Sequence, residues 1–436
     1  STQAKTLFPY TTLFRSEHEM SNTTLTADII AKEAVMILEN ELLMAKLCHR
    51  GYEPEFDKSV NGYKVGETVS IRRPADFTVR DGKVAAVQDV VEGKIPVTVD
   101  KQKGVDFKFS SQDLTLQIGQ LSDRVLRPAM VQLANQVDID MMALYNRIPR
   151  QITLPSGGTD SFADFALAPT LMDTCSIPQE DRAAILTPGN YWALLGSQTA
   201  LYVNDAAKQA YRNARLGMIG GIDTYMSQNL PTHTTGARTG TDLADLTVVD
   251  GTFTWQATKD ATEITFHIDG AASDTAGYWK KGDTFTIADV YDVNPVTKAA
   301  LPHLKQFVVT ADATTSGNEG DVKIWPPIIL SGSQKTCHLS TGTIDDNVIT
   351  YKGAASTGYA QNLFFHKNAF ALTMVPMVSP PGAVDVARRT LNGISVRVIP
   401  YYDGTNDDSN WRLDVLYGCD AIDTRLAVRA TLAADI

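Results

Sequence analysis

Apolar residues recur along this chain with two periods, and the switches between them divide it. The longest helical stripe runs through SDRVLRPAMVQLANQVDIDMMALYNRI. There Leu126, Met130, Leu133, Val137, Met141, Leu144 and Ile148 follow at steps of four, three, four, four, three and four. Such steps keep all seven on one face over about six helical turns. Pro128 falls early in the stripe, so the helix either restarts or kinks there. A second helix is predicted over 25–47 (LTADIIAKEAVMILENELLMAKL). Asp28, Lys32, Glu39 and Lys46 share one of its faces and Ile30, Ile37 and Met44 another, with Gly51 just past the end as a left-handed cap. It reads as an amphipathic surface helix.

Between these helices, over 63–118, the period drops to two. VSIRRP, FTVRDGKVAAV, KIPVTVD and GVDFKFS alternate or carry β-branched residues, and Asp81-Gly82 is a tight-turn signal inside the second. The interval 74–95 is polar and short of large core residues, which predicts a long hairpin or loop standing off the body. Beyond the long helix the chain mixes elements. SFADFALAPTLMDT predicts a helix that ends near Pro169 or continues weakly past it. AAILTP predicts a buried strand, PGNYWALL a helix start, NDAAKQAYRNARLG a helix closed by Gly217, and GGIDTYMSQNLP a turn followed by a strand.

From 232 to 357 Thr, Asp and Gly become frequent and alternation dominates. Phe253 and Trp255 share a face, as do Ile264, Phe266 and Ile268, then Phe285 and Ile287, then Phe307 and Val309. VKIWPPII and NVITYK complete a set of short strands that predicts a small β-barrel or sandwich. After Gly358 the mixed pattern returns in FFHKNAFALTMVPM. ISVRVIPYYDGTNDDSNWRLDVLYGCDAI then reads as a long hairpin with a polar tip, DGTNDDSN. The β region is therefore expected to be inserted in a host domain that resumes toward the C-terminus.

Composition narrows the function classes. The 436 residues are 43% hydrophobic and 20% charged, the balance of a globular protein with material for large cores. No apolar run reaches the length of a membrane-spanning helix. A net charge of −11 argues against a protein that coats DNA, which needs clustered Lys and Arg, yet permits one that lies near nucleic acid without adhering. Cys48, Cys175, Cys337 and Cys419 lie far apart with no C-x-x-C pair, which predicts reduced, buried thiols. Zinc needs clustered His and Cys ligands, and the sequence clusters none, so no metal or cofactor is expected.

Each candidate for chemistry has a plainer reading. GMIGG (217–221) lacks the Lys and hydroxyl of a phosphate-cradling loop and reads as a tight turn. His267 and Asp269 form H-x-D, but on a strand both face solvent. His366 beside Lys367 has no neighbouring carboxylate or Ser motif. DGTNDD (403–408) lacks the sixth-position Gly and distal Glu of a calcium loop. Cys419 has no His partner and reads as inert. No catalytic residue is expected, and the chain is not read as an enzyme.

TLFPYTTLFRS (6–16) fits neither a secretory signal nor an amphipathic membrane helix, because Pro9 interrupts its apolar stretch. All eleven codons back-translate in frame to a common short-read sequencing adapter. The expectation is that residues 1–19 are a non-native leader, that Met20 begins the natural protein as MSNTTLTADII, and that no scaffolding segment precedes it.

Three stretches, GGIDTYMSQNLP (220–231), FFHKNAFALTMVPM (364–377) and RLDVLYGCDAIDTRLAVRA (412–430), resemble major capsid proteins of tailed bacteriophages. More narrowly they resemble the P-twenty-two-type coat proteins, which carry an inserted β-domain. The resemblance implies an α+β, HK-ninety-seven-like capsid fold. It places an N-terminal arm at 20–62, strands with an extended E-loop at 63–118, a spine helix at 119–149, an axial domain at 150–231 and 358–393 around the 232–357 insertion, and a peripheral hairpin and C-terminal strand at 394–436. It further implies a shell of hexamers and pentamers in the virion, assembled in the bacterial cytoplasm. A separate scaffolding protein and a portal would be partners, with packaged DNA held without sequence-specific binding and no membrane contact. Candidate assembly contacts are then Arg80, Lys83 and Lys94 in the loop, and Asp403, Asp407 and Asp408 at the hairpin tip, near a local threefold. Some members of the wider fold cross-link a loop Lys to a neighbour's Asn. No motif marks Lys83 or Lys94 for that chemistry, and none is expected here. The alternative reading is a secreted or surface β-rich binding module, since Thr/Asp/Gly-rich β-domains often bind glycans.

Overall fold

The computed structural model describes residues 27–52, 56, 59–60, 63–64, 68–72, 75–80, 82–85, 87–88, 90, 93–110, 125–154, 161–199, 216–237, 263–268, 276–316, 320–340, 347–380 and 386–431. Residues 1–19, TFTWQA (252–257) and most of NDAAKQAYRNARLG (204–217) lie outside them.

The helix expected over 25–47 is two helices, α1 (Ala27–Glu41) and α2 (Met44–Leu47). α1 buries Ala27, Ile30, Ala31, Ala34, Val35 and Leu38 and keeps Asp28 and Lys32 in solvent. The break has a specific cause. The carboxylate of Asp138 accepts the N–H groups of Leu43 (2.8 Å), Met44 (3.1 Å) and Ala45 (3.4 Å), donors that an unbroken helix would spend on carbonyls four residues back. Cys48, in extended conformation, ends α2, so Gly51 is not the cap.

The long stripe forms α3 (Arg127–Met142), followed by a tighter 3₁₀ turn at Ala143–Arg147. All seven stripe residues are buried. Val125 and Leu126 are π-helical, and Pro128 sits in the first turn of the regular helix that follows, so the helix restarts there. α3 is therefore shorter than the stripe. α4 (Phe162–Thr174) continues through Pro169, with Ser161 as its N-cap accepting the N–H of Asp164. α5 (Pro188–Thr199) follows the fully buried strand Arg182–Leu186.

Two sheets make the host. In the larger, strands Gln151–Thr153, Ala427–Thr431, Gly358–His366, Arg182–Leu186, Ile222–Met226 and Met218–Ile219 lie in that order, and Thr232–Thr234 also pairs with Gly358–His366. Phe165 and Met172 of α4 and Leu194 of α5 pack on one face with Phe364 and Val428, while Ile185, Leu363 and Phe365 on the other join the core of α1 and α3. The second sheet orders Phe370–Met374, Asp408–Ala421, Ile394–Asp403 and Ala387–Leu391, with Lys101–Ser110 also on Asp408–Ala421. α1 lies across its Ala387–Leu391 edge.

Strands Thr68–Arg72 and Lys94–Thr98 pair antiparallel as a separate hairpin, and the described residues between them form no strand. FTVRDGKVAAV predicts a strand there, but none forms among its described residues. Side chains take the place of a strand partner. Gln88 accepts from Thr78 N–H at 2.9 Å and donates back to the Thr78 carbonyl, and the Arg80 guanidinium donates to the carbonyls of Gly82 and Val84.

A third sheet has its own core. Strands Ile264–Ile268, Gly320–Trp325, Ala300–Val309, Thr284–Val293 and Cys337–Leu339 lie in that order, and Ile349–Tyr351 also pairs with Thr284–Val293. Phe266, Trp279, Phe285, Phe307, Val322 and Ile324 are among the residues of its separate cluster. Among the described residues this is one antiparallel sheet, neither a closed barrel nor a two-sheet sandwich. It is folded by the long Thr284–Val293 strand, whose register shifts after Thr286, where Asp289 takes φ 63°. The chain enters this unit through Thr232–Thr234 and returns through Gly358–His366, and the two strands pair antiparallel.

Candidate assembly surfaces and the buried polar seam

The interval 74–95 is expected from its sequence to be polar and short of large core residues. Its described side chains instead present a run of unburied apolar groups, with Val79 98%, Val84 84% and Val87 96% exposed and Phe77 and Val90 also well exposed. An isolated exposed valine needs no explanation, but several within one segment make it a candidate contact surface. The composition of the segment hid this, because its valines are interleaved with Arg80, Lys83 and Gln88. The period-two pattern that looked like a strand is the signal that carried it. Lys83 is exposed in the loop, Arg80 braces the loop's own carbonyls, and Lys94 belongs to the hairpin strand below, opposite Arg72. Asp76 anchors the base, with Lys298 at 3.4 Å and Arg425 at 3.7 Å.

At the second predicted contact the acidic residues divide their work. Asp403 accepts the N–H of Thr405 (2.9 Å) and the side-chain amide of Asn406 (2.8 Å), which hold its carboxyl below the usual range. Asp407 takes φ 53° and accepts the Tyr402 hydroxyl at 2.7 Å. Asp408 is the least exposed of the three. It is 9% exposed and bound to Lys108 at 2.9 Å, because it opens the strand that pairs with Lys101–Ser110. Tyr401 and Tyr402, which sequence reasoning passed over, are the exposed large side chains beside the tip.

A buried polar seam joins the third sheet to the host. Arg429 is fully buried, donates to the Gly282 carbonyl, and lies 5.8 Å over the Tyr145 ring. Burial pushes its guanidinium down to about 10. The Tyr145 hydroxyl meets His233 Nδ1 at 3.0 Å, and His233 Nε2 meets Asp283 at 2.9 Å. Asp283 also accepts from Gly236 and Lys280 N–H. Gln151 donates to Thr431 and accepts from Thr284, and its N–H reaches Gln306 at 2.5 Å. Trp325 Nε1 donates to Thr424 at 2.6 Å. Asp292 is bound by Lys305 at 2.6 Å and approached by Arg150 at 3.8 Å.

The remaining sequence candidates resolve simply. His267 pairs with Asp321 on the adjacent strand at 2.8 Å. His366 accepts the Asn368 N–H, and burial pushes its imidazole down. Cys419 receives Lys101 Nζ at 2.9 Å, and burial pushes its thiol up. A cavity of about 670 Å³ beside it is lined in part by two ion pairs, Lys101 with Asp140 and Arg147 with Asp420. Contrary to the expectation of no clustered ligands, the fold does bring Cys175, Asp292 and His303 together.

A family model described as P22 coat protein, gene protein 5, matches residues 20–427. A curated major capsid protein from Acyrthosiphon pisum secondary endosymbiont phage 1 is 23% identical over 367 residues, covering 80% of this chain and 85% of its own. Among solved structures, one from Mycobacterium phage Che8 is similar at TM-score 0.48 and 14% identity, over 89% of this chain and 90% of that one. The capsid of cyanophage P-SCSP1u is similar at TM-score 0.45 and 11% identity, over 90% and 89%.

Proposed function

The chain belongs to the P22 coat protein family, and from that premise we propose how its surfaces serve a major capsid protein, the subunit of a tailed bacteriophage's icosahedral shell. The family match over 20–427 carries this reading. Loop 73–93 is the E-loop, and its valines bury against a neighbouring subunit. α1 and α2 are the N-terminal arm, α3 the spine helix, and the third sheet the inserted domain. Tyr401 and Tyr402, shaped by Asp403 and Asp407, face a neighbour at a local threefold. Copies form hexamers and pentamers in the bacterial cytoplasm with a separate scaffolding protein and a portal. The net charge of −11 keeps the shell from adhering to packaged DNA, because each phosphate contact would need a Lys or Arg.

The role is structural, and the sequence candidates for chemistry serve folding contacts. Expression beside a scaffolding protein encoded next to it, followed by electron microscopy, is expected to show closed shells. Protein that stays monomeric under every assembly condition overturns the reading. Within that assay, V84D and V87D are expected to abolish shells while leaving the monomer's melting temperature unchanged. K83E is expected to weaken assembly in the same way. A matching loss of monomer stability would place those side chains in a core instead.

A further inference from the structure

Cys175 ends α4 in the host, whereas Asp292 and His303 stand on neighbouring strands of the third sheet. One donor atom from each of the three lies within 4.8 Å of the other two. We propose that Cys175, Asp292 and His303 form a zinc-class metal site that clips the inserted sheet to the host.

Thiolate, imidazole and carboxylate are the donors zinc takes. The geometry between two of them points the same way. His303 Nε2 is buried without a hydrogen-bond partner, and it lies 3.6 Å from Asp292 Oδ2, beyond hydrogen-bonding distance. Two ligands each about 2.1 Å from a tetrahedral ion stand about 3.4 Å apart, so the gap suits two ligands of one ion better than a direct bond. The other carboxylate oxygen, Oδ1, is held by Lys305 at 2.6 Å, which orients Asp292 from outside the site as an outer-shell partner does. Cys175 is fixed by its N–H to the Leu171 carbonyl. Cys175 and Asp292 are buried and His303 is partly exposed, so the cluster lies at the edge of the interior.

Charge sets the strength of the site. Thiolate and carboxylate together neutralise a divalent ion, but Lys305 and Arg150 remain beside it and oppose its charge. They repel the ion, so binding is expected to be readily reversed by a chelator. Cys337 is the nearest rival thiol, since it faces Asp292 across the strand pair, but its Sγ lies near the Ile329 carbonyl.

The test uses the full chain, stripped with a chelator and titrated with Co²⁺ and then Zn²⁺. One equivalent of Co²⁺ is expected to give a thiolate-to-cobalt charge-transfer band in the near ultraviolet. Zn²⁺ should displace it and raise the melting temperature by a few degrees. C175S and H303Q should each lose both effects, and C337S should keep them. H303Q, at a partly exposed position, guards against a folding failure in C175S. No band in the wild-type chain, or a band that survives H303Q, overturns the site and leaves a purely ionic cluster around Asp292. Binding is read on the single chain, so its failure is distinct from a failure of shell assembly.

Discussion

Asp138 sits on the buried face of α3, beside Val137 and Met141, where the helical stripe reserves room for apolar side chains. Its carboxylate is kept there by three N–H groups from the turn that separates α1 from α2. Burial outweighs those donors and raises the carboxyl to about 6. Because the folded protein then holds this proton more tightly than the unfolded chain, its contribution to stability is full below about pH 4 and is lost as pH rises through about 6. The span corresponds to about 3 kcal/mol. Denaturant melts of wild type and D138N across that window should show the wild-type slope flattened in the variant, and an unchanged slope would reassign it. The residue was visible in the sequence but its role was not, since nothing local says that 43–45 lies against 138. The same holds for Arg429, whose neighbours Gly282 and Tyr145 are more than a hundred residues away in sequence.

At the scale of elements, periodicity located what is locally encoded. The stripe of α3, the strand AAILTP and the arms VSIRRP and KIPVTVD all stand where their patterns put them. It failed where a pattern had no partner to satisfy. FTVRDGKVAAV alternates like a strand, yet no described strand lies beside it, and Gln88 and Arg80 take up its backbone groups instead. The hairpin that carries this loop packs Val97 against Leu416 and Ile422 and approaches the second sheet most tightly at Gly418. A Cβ on Gly418 would come within 2.1 Å of the Thr98 carbonyl. G418A is therefore expected to lower stability by about 1–3 kcal/mol and to impair shell formation as the hairpin lifts. G189A, in open space in the first turn of α5, should leave both unchanged or slightly improve the melt. Equal effects in thermal melts would remove the steric account.

For the whole molecule, the seam makes the third sheet part of the host's stability as well as an appendage to it. Deleting 235–355 leaves Arg429 without the Gly282 carbonyl, Gln151 without Gln306 and Thr284, and Thr424 without Trp325. A buried charge stripped of its partner is among the costliest changes a fold can suffer. The deletion is expected to yield insoluble protein or particles of aberrant size in an expression and sedimentation assay. Normal shells would show the seam to be dispensable. Composition could announce that 232–357 differs from its surroundings, but the seam draws single residues from many elements and leaves no period to read.

The strand pair at the entrance to that unit carries one more consequence. Thr234 sits opposite Gly358, so the departing and returning chain are about one strand spacing, roughly 5 Å, apart. To the host, everything between them is a hairpin turn. Loop-closure entropy grows only about 0.6 kcal/mol for each doubling of loop length, so the size of the cargo in that turn is thermodynamically almost invisible. The position is a socket. Lineages can lengthen, trim or exchange what it holds, and an engineer can graft any compact module whose two ends meet, provided the side chains left facing the socket are rewritten to match.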